Sequence, residues 1–92
     1  MPDEINVLLI DETAAEKLGA RDISDGEARQ LLRNANAIGP NPRGGEERRL
    51  LVGLTDGGRA LTLVVERTLE PSSWLVVTGW NSTKSQRKIL ES

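Results

Sequence analysis

The chain has 92 residues, 37% hydrophobic and 28% charged, with a formal net charge of -2. That is enough for one small domain spanning residues 1–92, and too little for two. It contains no His and no Cys, which excludes a Ser-His-Asp or Cys-His nucleophile, a His or Cys zinc site, a disulfide framework and a His-bound haem. Its core must be aliphatic, because 13 Leu, 6 Val and 5 Ile face only two aromatic residues, Trp74 and Trp80.

The total charge conceals a division along the chain. Residues 1–27 hold eight acids against Lys17 and Arg21, a net of -6, and residues 28–92 hold ten bases against six acids, a net of +4. A basic C-terminal part can face an anion such as RNA, while a solvated mixed-charge surface explains the same count. Asp3 and Glu4 stand where a secretory signal carries basic residues, and no run approaches the roughly 18 apolar residues of a membrane span. A cytoplasmic protein without membrane contact is expected.

Ile5-Asn6-Val7-Leu8-Leu9-Ile10 reads as a first strand. Asp11 caps a short helix from Glu12 to Leu18, closed by Gly19 in the left-handed position. Ser24 and Glu27 form a capping box for a second helix from about Asp25 to Ala35, with Ala28, Leu31, Leu32 and Ala35 on its apolar face and Ile23 stapled before the cap. From Asn36 the pattern fails. Gly39-Pro40-Asn41-Pro42-Arg43-Gly44-Gly45 carries too much Gly and Pro for regular pairing and predicts one long exposed loop. It lacks the Gly-Lys-Ser/Thr ending of a phosphate loop, so no nucleotide site is expected there.

A strand meander follows: Arg49 to Leu54, a hairpin at Asp56-Gly57-Gly58, Arg59 to Glu66, a looser turn at Leu69 to Ser72, then Trp74 to Thr78. The run Leu63-Val64-Val65 predicts a middle strand covered on both faces. Ser82 is expected to cap a last helix bearing Ile89 and Leu90. The sum is an α+β domain in the order β-α-α-β-β-β-α, with two helices on one face of a mostly antiparallel sheet and the other face left for function.

Gly45-Glu46-Glu47-Arg48-Arg49, Gly53, Asp56-Gly57-Gly58-Arg59, the Val-rich strand and the basic last helix together resemble the BrnT-type toxins of bacterial toxin-antitoxin pairs, within the wider RelE-like ribonuclease group. The resemblance covers most of the chain. It implies a RelE-like fold, RNA cleavage that halts growth, and a cognate antitoxin, usually a ribbon-helix-helix protein; no metal or other cofactor is implied. RNA cleavage needs a base for the 2′-hydroxyl, a cation for the charge on the phosphorane and an acid for the leaving oxygen. Arg48 matches the Arg of the family's Gly-Glu-x-Arg and is the first catalytic candidate, with Glu47, Arg59 and Arg67 behind it. Arg43, Trp80, Lys84, Arg87 and Lys88 are the candidates for RNA contact.

Strand alternation lets only one of Arg48 and Arg49 face a given ligand, with Leu50 and Val52 on the side of Arg48. A cross-strand ion pair of Glu47 with Arg48 is the plain structural alternative. The resemblance fails at Val77-Thr78-Gly79-Trp80, where BrnT-type chains carry Ile-Ser-Ala-Arg. Tryptophan can stack on a base but cannot neutralise a phosphorane; it can equally anchor a core or an interface. If the strand is regular, Trp74 and Trp80 share one face. The lost arginine opens a second reading, a catalytically silent protein of the same fold that binds a protein partner or regulates transcription.

Overall fold

The computed structural model describes residues 4–41 and 45–91. The elements are β1 (Val7–Leu9), α1 (Glu12–Gly19), α2 (Asp25–Gln30), β2 (Asn36–Pro40), β3 (Arg48–Leu54), β4 (Ala60–Arg67), β5 (Ser73–Asn81) and α3 (Lys84–Glu91), with a single 3-10 turn at Gly45–Glu47 before β3. The five strands form one sheet in the order β1-β5-β4-β3-β2, in which β1 runs parallel to β5 and every other pair is antiparallel. The described residues are therefore α+β, with a mostly antiparallel sheet and three helices.

One strand more is present than the sequence pattern predicts. Asn36–Pro40 pairs antiparallel with β3, from Asn36 opposite Gly53 to Pro40 opposite Arg49. Proline is tolerated because β2 is the sheet's edge, where a missing N–H has no neighbour to serve. The predicted loop accordingly shrinks to the connection after Pro40, and Pro42, Arg43 and Gly44 lie outside the described residues.

The helices are set by their caps. Asp11 accepts from the Ala14 backbone N–H at 2.8 Å, and Ser24 and Glu27 form the reciprocal box expected of them. Ile23, just ahead of Ser24, is buried. Gly19 is not the left-handed residue: Asp22 takes that conformation, at φ 59°, three residues later. α2 is also shorter than predicted. After Gln30 the N–H groups of Leu32 and Arg33 bond back three residues rather than four, so the helix tightens and ends early enough for β2 to begin at Asn36.

α3 starts one residue later than the Ser82 cap would place it. Thr83 and Gln86 form the box, the Thr83 N–H donating to Gln86 Oε1 at 2.9 Å and the Gln86 N–H to Thr83 Oγ1 at 3.3 Å.

α1 and α2 cover one face of the sheet. Leu8, Ala14, Leu18, Ile23, Ala28, Leu31, Leu51, Leu61, Leu63, Val65, Trp74 and Val76 make the continuous aliphatic core between them. The helices come close to the strands because Gly53 and Gly79 have no side chain: Leu31, just past the end of α2, lies over the first and Leu18 of α1 over the second. Leu61 to Val65 are all buried, as a strand covered on both faces requires.

The second cover is α3, which packs on the opposite face against β3 and β2. Its Gln86 Oε1 accepts from Thr62 Oγ1 at 3.0 Å and from the Trp80 indole at 3.0 Å, and Thr62 Oγ1 also meets Ser82 Oγ at 2.8 Å. Only part of this face is thus open, where the sequence alone left it whole. The two tryptophans do not share a face. An irregularity between Val64 and Val65 gives β5 one residue more than β4 there, so Val64 faces Thr78 while Val65 faces Val76. Each such bulge inverts the alternation beyond it. Trp74 therefore enters the core, with its indole donating to the Glu4 carbonyl at 3.1 Å, and Trp80 lies half-buried on the α3 side.

Candidate functional site

Arg48 opens β3 and lies, as alternation requires, on the face with Leu50 and Val52 and away from Arg49. Its cross-strand neighbour is Glu66, whose Oε1 accepts from Arg48 Nε at 3.1 Å. Arg48 thus pairs across the strands with Glu66 and not with Glu47 as expected, and Glu47 sits exposed in the 3-10 turn. Both partners are half-exposed, so the pair contributes at most about 1 kcal/mol to stability and can exchange for another charge. Glu66 was legible in the sequence by counting: it and Arg48 are each nine positions from Gly57, at the centre of the Asp56-Gly57-Gly58 hairpin.

Arg59 does something else. It follows Gly58, whose φ of 86° makes the hairpin turn, and its guanidinium reaches across to the loop between α1 and α2. It donates to the Asp22 carbonyl at 2.7 Å, the Arg21 carbonyl at 3.1 Å, Glu27 Oε2 at 3.2 Å and Asn81 Oδ1 at 2.8 Å. Arg33 and Asp56 tie the hairpin to the end of α2 as a second ion pair, with Asn34 donating to Asp56 Oδ1 at 2.9 Å. These contacts fasten the hairpin to the helical layer.

Arg67 ends β4. It faces the helix side, its guanidinium 4.8 Å from the Trp74 ring centroid, a cation-π contact. Arg59 and Arg67 stand eight positions apart, about 26 Å at the usual strand rise. The four catalytic candidates are therefore not brought together: Arg48 lies on the open face, Arg67 on the opposite face, Arg59 at the hairpin and Glu47 in the turn before β3.

Of the candidates for RNA contact, Lys84, Arg87 and Lys88 are exposed on α3, Trp80 lies half-buried with its indole N–H donated to Gln86, and Arg43 is outside the described residues. Ala35, Leu54, Gly58, Ala60, Arg87 and Leu90 enclose a cleft of about 300 Å³ between α3 and the hairpin, at the lower limit of small-molecule pockets. Among the described residues no three Asp or Glu side chains come together as a metal ion would require. Nor, among the described residues, is any helix long and apolar enough to cross a membrane. In comparisons with known proteins, no family model, no curated protein and no solved structure matches the chain.

The carboxylates at the hairpin carry a pH dependence. The Ser24 backbone N–H, then the Arg59 guanidinium, hold the Glu27 carboxyl below its ordinary value, and Arg33 with Asn34 does the same to Asp56. A depressed folded-state value means that the ionised group stabilises the fold above its unfolded value and loses that contribution as pH falls through the folded one. Thermal midpoints should therefore be level from pH 7 to about pH 5 and decline below about pH 4.5. Glu27→Gln combined with Asp56→Asn should flatten the decline at the expense of stability at neutral pH. An unchanged acid limb in that double variant, followed by circular dichroism, would show that other carboxylates set the transition.

Proposed function

We propose that the chain is the toxin-type half of a bacterial toxin-antitoxin pair, a BrnT-like member of the RelE group that acts in the cytoplasm by binding a cognate antitoxin of the ribbon-helix-helix kind. The resemblance at Gly45 to Arg49 and at Asp56 to Arg59 supports it, as does a mostly antiparallel sheet with two N-terminal helices on one face. The observation that favours binding over catalysis is the dispersal of the four candidates, with Arg59 committed to backbone carbonyls of the α1–α2 loop and Arg67 to the Trp74 ring. A catalytic centre needs its groups within hydrogen-bond reach of one substrate.

Ribonuclease activity is the second reading, and it rests on Arg48 with Glu66, a cation and a carboxylate at 3.1 Å on the face opposite α1 and α2. Induced expression in a bacterium, with growth and total RNA followed, separates the two. The binding reading expects continued growth, intact RNA and co-purification with the ribbon-helix-helix product of an adjoining reading frame. Failure of that product to co-purify counts against the pairing. Growth arrest with fragmented RNA instead supports the second reading, and Arg48→Ala or Glu66→Gln should then each lower cleavage by about 100-fold or more.

A further inference from the structure

We infer that the cleft between α3 and the β3–β4 hairpin is a binding site for a small aliphatic carboxylate, whose head group pairs with Arg87 and whose hydrocarbon chain lies against Leu54, Ala60 and Leu90. Such a site needs neither the toxin reading nor the Arg48–Glu66 pair.

The cleft is built by the alternation of the strands. Leu54 and Ala60 pair across the hairpin, and Leu54 shares the side of Val52 and of its neighbour Thr62, which meets Gln86 of α3. Ala35 joins them from just ahead of β2, where its carbonyl accepts from the Leu54 N–H at 3.2 Å. Small residues keep the floor low: Ala35, Gly58 and Ala60 leave about 300 Å³ between hairpin and helix that larger side chains would fill. α3 supplies the remaining wall. Arg87 and Leu90 stand three positions apart, so they are neighbours on one side of the helix and edge the cleft together.

The chemistry of this lining selects the ligand. Backbone groups along it are already engaged: besides the Ala35 carbonyl, the Ala60 carbonyl accepts from the Ser82 N–H at 3.0 Å, and the Gly58 N–H donates to the Thr55 carbonyl at 2.9 Å. Arg87 is different. Among the described residues it is the one charged group of the lining, and its guanidinium meets no carboxylate, whereas Arg33, Arg48 and Arg59 each have one. Apolar walls with one guanidinium at the edge fit a ligand that has a single anionic head and no other polar group. A nucleotide or a peptide would bring sugar or amide groups against walls that offer them no partner. Two other clefts lack this character. Arg49, beside Ile38 and Gly39, already donates to the Glu46 carbonyl at 2.6 Å and the Arg48 carbonyl at 2.9 Å, and the cleft at Ile23 has Asp22 and Glu27 as its charged residues.

Titration of the full chain with octanoate, followed through methyl chemical shifts, tests the site. The Ala35 and Ala60 methyls should shift saturably, with a dissociation constant on the order of 1 mM. Octanol carries the same chain without the charge and should bind at least about tenfold more weakly, as should octanoate to Arg87→Gln. Ala35→Leu fills the cleft and should abolish the shift at Ala60. Both substitutions fall at exposed positions, and an unchanged far-UV circular dichroism spectrum shows that each variant is folded. The comparison of octanoate with octanol needs the parent chain alone. Absence of a saturable shift at the two alanines overturns the site, as do shifts centred on Val7 and Leu9 instead. So does octanol that binds as tightly as octanoate, or octanoate binding that Arg87→Gln leaves unchanged.

Discussion

Trp74→Ala is expected to lower stability by about 3 to 5 kcal/mol, a large share of the roughly 5 to 15 kcal/mol that holds a domain of this size. Trp74 is fully buried and is the largest side chain of the core, the one aromatic ring among aliphatic neighbours. Its removal leaves a cavity lined from both the sheet and the helical layer. It also leaves the Glu4 carbonyl without its donor and Arg67 without the ring it covers. Thermal denaturation followed by far-UV circular dichroism should show a midpoint lowered by about 12 to 40 °C. Trp74→Phe keeps most of the volume and removes the indole N–H, and should lose about 1 to 2 kcal/mol. Equal losses in the two variants would mean that the hydrogen bond, and not the packing, dominates at this position.

Gly79→Ala is the second large effect. A Cβ there would lie 2.6 Å from Leu63 Cδ2, 3.0 Å from Leu18 Cδ2 and 3.1 Å from the Thr62 carbonyl oxygen. The leucine ends can rotate, but the carbonyl belongs to the neighbouring strand, so α1 must lift or β5 must shift. A loss of about 1 to 3 kcal/mol is expected. Gly39→Ala is the control, since nothing lies within 4 Å of its added Cβ and its backbone is not left-handed. It should change stability by no more than about 0.5 kcal/mol. Comparable losses at both glycines would show that backbone entropy, and not the close approach of α1, sets the effect at Gly79.

The elements with a local signal were legible in the sequence. The capping box at Ser24, the Asp11 cap, the hairpin at Asp56 to Gly58 and the doubly covered strand around Val64 each depend on residues within a few positions of one another. What escaped depends on partners distant in sequence. β2 looks like a loop because Gly39 and Pro40 are poor strand residues, and only pairing with β3 at the sheet edge makes them one. The face of Trp80 turns on a single extra residue in β5, which no pattern of hydrophobic residues reveals.

The candidate site divides along the same line. That Arg48 and Arg49 oppose one another follows from alternation alone. That Arg48 meets Glu66 follows from the hairpin's register, which counting from Gly57 supplies. The structural employment of Arg59 was out of reach, because the Asp22 and Arg21 carbonyls come near it only when the helices fold over the sheet, and that of Arg67 was out of reach because its place opposite Trp74 depends on the β4–β5 register, which the bulge shifts.

The bulge in β5 also gives the protein two optical reporters. With no tyrosine in the chain, its ultraviolet emission comes from Trp74 and Trp80 alone, and the extra residue sends one into the core and the other toward the last helix. A dissolved quencher reaches Trp80 and not Trp74 while the fold is intact. Release of the C-terminal helix from its Gln86 anchor would change the quenchable fraction alone, and melting of the core would change both.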